Sequence, residues 1–171
     1  MAADDLRLLH EWLQRPHVSR WWSEQRSYQQ VVDHYLPAID GADATDHYLV
    51  FLGGLPIGML QTYLVADYPE HAELMGVDDT ATAGVDILIG EEGLIGRGLG
   101  TEILRRFVDE IVFVRAETTT CVADPAAANL ASVRAFEKAG FRAVSGHVDP
   151  ADGRVHVVVR LDRYGAQSAP R

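Results

Sequence analysis

The stretch "GLIGRGLGTEIL", Gly93 to Leu104, carries glycines at 93, 96, 98 and 100 and then passes directly into a run with helical spacing. Ile103, Leu104, Phe107, Val108 and Ile111 predict an amphipathic helix from Thr101 to about Val114, and "GVDILIG" (Gly84 to Gly90) just upstream predicts a strand. Strand, glycine loop and helix in that order leave unpaired N–H groups at the helix start, aligned with the positive end of its dipole, where a phosphate can bind. Gly96, Gly98 and Gly100 let the backbone approach such a group, and Arg97 adds positive charge. A P-loop is excluded because Thr101 follows Gly100 with no lysine between them. A dinucleotide fingerprint is disfavoured because the spacing is G-x-G-x-G. The competing structural reading is a turn that needs glycine only for positive φ.

Outward from the loop, Leu6, Leu9, Trp12 and Leu13 predict a first helix over residues 5–14, ended by Pro16. Val31, Val32, Tyr35 and Leu36 predict a second helix, stopped at Pro37. "HYLVFLGGLPIGMLQTYLV" reads as a hairpin turning at Gly53-Gly54, its second run bent at Gly58. Residues 66–83 read as an acidic loop with room for a short helix. "TTTCVAD" is a strand, and Pro125 is expected to open a helix that ends at Gly140 as a left-handed cap. "VHVVVRL" pairs antiparallel with the run after Phe141 through the turn "DPADG".

The 171 residues and 47% hydrophobic content suit a single domain over residues 1–161, with 162–171 as a flexible tail. The net charge of −10 repels phosphate backbones, which argues against nucleic acid and favours a cationic ligand. The acidic start and the absence of a long apolar run predict no leader and no membrane partner, hence a cytoplasmic protein. Cys121 is the only cysteine, expected to be buried in its strand, and the seven histidines show no metal-ligand spacing, so no metal is expected.

"GRGLGTEIL" followed by "NLASVRAFEKAGF" resembles the acetyl-CoA-binding core of the GNAT N-acetyltransferases. With "EWL", "RWW", "HYLPAI", "PIGMLQTY" and "GVDILIG", the chain is similar, within that superfamily, to aminoglycoside 6′-N-acetyltransferases over most of residues 9–161. The resemblance implies an α/β (α+β) fold: a central mixed, mostly antiparallel sheet flanked by helices, with acetyl-CoA bound at a splayed strand pair. It also implies direct attack of a primary amine on the thioester, by a monomer or homodimer.

Site residues follow from both lines. Asp86 interrupts an apolar strand, points away from the face of Val85, Ile87 and Ile89, and is the expected catalytic carboxylate. The resemblance places the cofactor on Leu88, Ile89, Gly96, Arg97, Gly98, Leu99, Gly100, Thr101 and Asn129. It places the small cationic amine on Trp22, Tyr35, Gln61, Asp86, Asp124 and Asp152. Trp22 and Tyr35 equally suit a core, Asn129 a cap or turn, and Asp124 a helix cap before Pro125. Phe136 stands where many relatives have a proton-donating tyrosine, which leaves the general acid unassigned. Ile95 stands where Gln or Arg is usual. Three readings stay open: acetylation of aminoglycosides, acetylation of another small amine such as a lysine-like or siderophore intermediate, and a CoA-binding module without turnover.

Overall fold

A computed structural model describes residues 1–22 and 27–163. The chain divides into two compact units, the first made of Met1–Tyr63 and Asp86–Leu99, the second of Leu64–Val85 and Gly100 onward. The expected tail begins inside a strand, since Asp162 pairs with Thr120, and its residues from 164 on lie outside the described ones.

The first unit opens with helix α1 (Leu6–Leu13), whose Leu6, Leu9, Trp12 and Leu13 are all buried, as their spacing predicts. Pro16 does more than end it. It occupies the first turn of a short helix α2 (Pro16–Ser19), where its missing N–H has no partner to lose. Helix α3 (Tyr28–Ile39) starts with a capping box between Ser27 and Gln30 and runs through Pro37 instead of stopping there. Pro37 forgoes the one helical bond its N–H would make, to Asp33, and both residues are exposed. Strands β1 (Asp46–Leu52) and β2 (Leu55–Leu64) form the expected hairpin, with positive φ at both Gly53 and Gly54. Its core gathers Trp12, Val31, Tyr35, Met59 and Leu88 around α1.

The second unit holds the acidic segment, which contains a helix, α4 (Pro69–Met75), capped by Gly76. Strand β3 (Thr82–Ile89) begins in this unit, and its Thr82–Gly84 pair in parallel with Thr120–Val122 of β4 (Thr120–Ala123). Helix α5 (Leu99–Phe107) ends in a π-helical turn over Val108–Val112. Helix α6 (Leu130–Ala139) starts later than expected and ends at Gly140 in the left-handed region, as expected. Residues 125–127 are not helical because their backbone is already used: Pro125 O accepts from Val157 N, and Ala127 N donates to Val155 O. The bridge Ala126↔His156 thus continues the register of β4 with β6 (Val155–Asp162). Strand β5 (Arg142–Val148) closes the hairpin with β6. The strand order is β1-β2-β3-β4-β6-β5, the mixed, mostly antiparallel sheet of the expectation.

Two glycines of the first unit are fixed by close approach. A Cβ on Gly58 would stand 2.3 Å from the Leu88 carbonyl oxygen, and one on Gly90 would stand 2.3 Å from the Trp12 ring. Gly90→Ala is therefore expected to lower stability by roughly 1–3 kcal/mol, the usual cost of overpacking. Urea denaturation measures it, and an unchanged midpoint would mean that the indole can move aside.

Candidate functional site

The glycine loop lies where β3 hands over to α5. Gly96 and Gly98 have φ of 75° and 81°, backbone that L side chains rarely adopt, and a Cβ on either would meet only open space. Their glycine requirement is therefore conformational rather than a matter of packing. The loop and Arg97 are exposed, and the first four N–H groups of α5, from Leu99 to Glu102, have no partner within the helix. Backbone donors, one arginine and open space suit the pyrophosphate of a CoA-type molecule. Thr101 is turned aside, its hydroxyl 3.4 Å from the Ala135 carbonyl. Exposed Ile95 adds no donor, as its side chain foretells.

Upstream of the loop, the strand end is clamped. Arg15 donates to the Gly90 carbonyl at 2.7 Å and pairs with Glu91 at 2.9 Å, while Trp12 Nε1 donates to Glu91 at 3.1 Å. Arg15, then Trp12, hold the Glu91 carboxyl below its usual range. Gly90 N–H goes to the Ile57 carbonyl, so strand alternation turns the backbone groups of Ile89 to the edge away from β2, where His17 Nε2 lies 3.2 Å from the Ile89 carbonyl. The Leu88 carbonyl faces Gly58 of β2. The sequence reading missed these clamping residues, which bridge more than 70 positions of chain.

Asp86 is the one charged side chain of β3, half-buried, and Gln61 Nε2 donates to its Oδ2 at 2.9 Å. Gln61 faces His47 across the β1–β2 hairpin, and a side-chain hydrogen bond joins the two. Burial lowers the His47 pKa to about 4, so the ring is neutral in ordinary buffers. It lies edge-on to Tyr35, with centroids 5.0 Å apart, and Trp22 Nε1 donates to the Tyr35 hydroxyl at 3.2 Å. Four expected acceptor residues, Trp22, Tyr35, Gln61 and Asp86, are thus linked in one unit, with His47 as a member that sequence reading missed. Tyr35 is only 1% exposed and belongs to the core, which leaves Trp22 the more accessible ring.

In the second unit, Asp124 and Asp152 come together with histidines that looked unrelated along the chain. Asp124 lies 3.7 Å from His71 Nε2, 3.4 Å from His147 Nε2 and 3.9 Å from His156 Nδ1. His147 and His156 are cross-strand partners in the β5–β6 hairpin with stacked rings. This register brings together groups that have no metal-ligand spacing along the chain: ligand atoms of Asp124, His147 and His156 fall within 4.8 Å of one another, as do those of Asp149, Asp152 and His156. Both nitrogens of His156 are already engaged, Nδ1 with the Asp124 carbonyl and Nε2 with Asp152 at 3.3 Å, so a metal would have to break these bonds. Burial works against charge on His156, but the Asp124 carbonyl and Asp152 outweigh it and raise the pKa. Burial and neighbouring His156 lower that of His147.

Asn129 caps α6, its Oδ1 accepting from Ser132 N at 3.3 Å, whereas Asp124 does not cap a helix. Phe136 is 2% exposed and packs edge-on against Phe141, a core role with no proton to give. Cys121 is buried, as expected.

This combination of phosphate-type loop and acidic strand residue defines a class, and comparison with known proteins agrees. A family model described as an acetyltransferase (GNAT) domain matches residues 2–149, and the chain belongs to this family of acetyl-CoA-dependent N-acetyltransferases. Aminoglycoside N(6′)-acetyltransferase type 1 of Klebsiella pneumoniae is 35% identical over 156 residues, which cover 90% of this chain and 76% of that protein. The crystal structure of aminoglycoside acetyltransferase AAC(6′)-Ib in complex with coenzyme A and kanamycin superposes with a TM-score of 0.84 at 32% identity, covering 95% of this chain and 92% of that one. An aminoglycoside N(6′)-acetyltransferase structure from Legionella pneumophila, at 17% identity, TM-score 0.72 and coverage of 95% and 88%, shares the fold.

The raised His156 pKa adds stability that is full below the unfolded value near 6.5 and fades as pH rises through the folded value. His147, with its pKa lowered, works in the opposite sense and withdraws stability as pH falls below about 6.5. His156→Gln should therefore cost more stability at pH 6 than at pH 9 in urea denaturation. Equal costs would show that the ring only packs.

Proposed function

We propose that this protein transfers the acetyl group of acetyl-CoA to the 6′-amino group of aminoglycosides, with Asp86 as the carboxylate that receives the amine. The observation that carries the reading is the Asp86 carboxylate, set in an otherwise apolar strand and fixed by Gln61, directly upstream of the glycine loop. The proteins named above, 6′-N-acetyltransferases of aminoglycosides, support the choice of acceptor.

Acetyl-CoA supplies an activated acyl group as its thioester. The chain's own tasks are to hold that molecule and to prepare the amine. The N–H groups of Gly96 to Thr101, with Arg97, bind the pyrophosphate, and Ile89 backbone groups on the edge away from β2 face the pantetheine arm. Leu88 and Asn129 are retained as cofactor contacts, Asn129 also serving as cap.

An alkyl ammonium cannot attack, because its lone pair is bound to a proton. Asp86 attracts the ammonium, orients it and takes one proton, which frees the lone pair. The neutral amine then attacks the acetyl carbon, and as the carbon–sulfur bond breaks the nitrogen gives up its second proton to solvent water. Phe136 cannot protonate the departing thiolate, so that proton comes from water. Asp124 and Asp152 are proposed to receive further ammonium groups of a polycationic acceptor, which fits the net charge of −10. Trp22 offers an aromatic face to a sugar ring. We further propose a single catalytic domain over residues 1–161, working where acetyl-CoA is made, in the cytoplasm, with no nucleic-acid or membrane partner.

Thiol release from acetyl-CoA tests the reading. Aminoglycosides with a 6′-amino group should support turnover and 6′-hydroxyl analogues should not. Release only with unrelated amines would replace the acceptor, and CoA binding without release would leave a binding module. Asp86→Asn should lower kcat by about 10²-fold or more, with acetyl-CoA affinity unchanged. Separately, Gly98→Ala, which strains a φ of 81°, should weaken acetyl-CoA binding in calorimetry; full affinity would remove the loop from the cofactor site.

A further inference from the structure

The Gln61 side chain has two ends that differ by almost nothing in shape and entirely in hydrogen bonding: an NH2 that donates and an oxygen that accepts. Only one orientation of the amide supports Asp86. With the NH2 toward the carboxylate, Gln61 Nε2 donates to Asp86 Oδ2 at 2.9 Å; flipped, two oxygens would face each other. Something must choose between the two, and Asp86 alone is a weak chooser when a cationic amine approaches and competes for the same carboxylate.

His47 is placed to make that choice. It stands opposite Gln61 in the β1–β2 register and shares a side-chain hydrogen bond with it. Its Nδ1 is buried and finds no partner among the described residues, so Nε2 makes the bond. Strand β2 lies between β1 and β3, so with its NH2 turned to Asp86 on β3 the Gln61 amide turns its oxygen toward His47 on β1, which makes Nε2–H the donor. That bond favours the protonated ring, the sign expected of a donating histidine, although burial dominates and keeps it neutral. A neutral ring is required here, since a fixed cation so near Asp86 would repel the ammonium substrate.

The ring itself has little freedom. Tyr35 meets it edge-on at 5.0 Å, and the Tyr35 hydroxyl is in turn held by Trp22. The other groups whose charges act on His47 are His34, Asp43 and the Met1 amino group.

We propose that His47 is a positioning residue for the acetyl transfer: its Nε2–H fixes the Gln61 amide so that the NH2 holds the Asp86 carboxylate in place for the incoming amine. The proposal rests on Asp86 being the residue that receives the amine. It adds that this carboxylate is tuned from outside the acceptor contacts, through a strand that carries no reacting group.

The test compares three variants with the parent in steady-state acetylation across pH 5–9. His47→Phe keeps a flat ring against Tyr35 but has no donor. His47→Gln can set an NH2 near the position of Nε2, whereas His47→Asn reaches only the position of Nδ1. His47→Phe should lower kcat by about tenfold, the upper end for one neutral hydrogen bond, and move the acidic limb of the rate profile to higher pH. Acetyl-CoA affinity should not change. His47→Gln should restore most of both effects and His47→Asn should not, a comparison that holds even where His47→Phe folds poorly. With Gln61→Leu already in place, His47→Phe should shift the limb no further.

Equal behaviour of the Gln and Asn variants, an unmoved acidic limb, or a further shift in the Gln61→Leu background would each overturn the proposal. Unchanged turnover in Asp86→Asn instead removes Asp86 from its role, a failure distinct from these. It would show that the reading of the reaction, and not His47, is at fault.

Discussion

The interaction on which the rest of the structure depends is the hydrogen bond from Gln61 to Asp86. An ionised carboxylate in an apolar strand is unfavourable unless something donates to it, and its strand neighbours Val85 and Ile87 have no polar side chain. The Gln61 amide of β2 donates to the charge and makes it tolerable there. A carboxylate offers about four lone-pair directions, and the Gln61 amide takes one of them. A carboxylate fully bonded to arginine, as Asp162 is with Arg142 and Arg160, would be stable and inert.

Around this point the first unit is built for rigidity. Gly58 and Gly90 are bare because β3 and the Trp12 ring come too close for a methyl group, and Arg15 ties the carbonyl of Gly90 to the carboxylate of Glu91. The chain then passes through Gly96 and Gly98 in conformations that free its N–H groups. One continuous stretch from Asp86 to Thr101 thus moves from an acid held by Gln61, through a clamped strand end, to a helix start whose N–H groups suit an anion. The acidic residues of the second unit differ in kind: Asp124 and Asp152 have histidines for partners, so their share of negative charge depends on how the rings titrate.

Local signals in the chain foretold much of this. The glycine spacing, the apolar spacing of α1 and the lone acid in "GVDILIG" each report a constraint satisfied within a few residues, and each is found in the structure. The misplaced boundaries arose where long-range pairing competed with a local rule. Pro125 is a reasonable helix opener in isolation, but Val155 and Val157 take its neighbourhood into the sheet and leave Asn129 to cap α6. Pro37 stays within α3 at the loss of one bond on the exposed side of the helix. The pairing of His147 with His156 and that of His47 with Gln61 exist only through strand register, which no spacing along the chain records.

The central claim, that the amine delivered to Asp86 is the 6′-amine of an aminoglycoside, is most directly tested by the position of the acetyl group in the product. Incubation of the protein with acetyl-CoA and kanamycin, followed by two-dimensional NMR of the isolated product, locates it. The account predicts one acetyl group, bonded to the 6′ nitrogen, and none formed by the Asp86→Asn protein. Acetylation at another nitrogen, or at a hydroxyl, would contradict it.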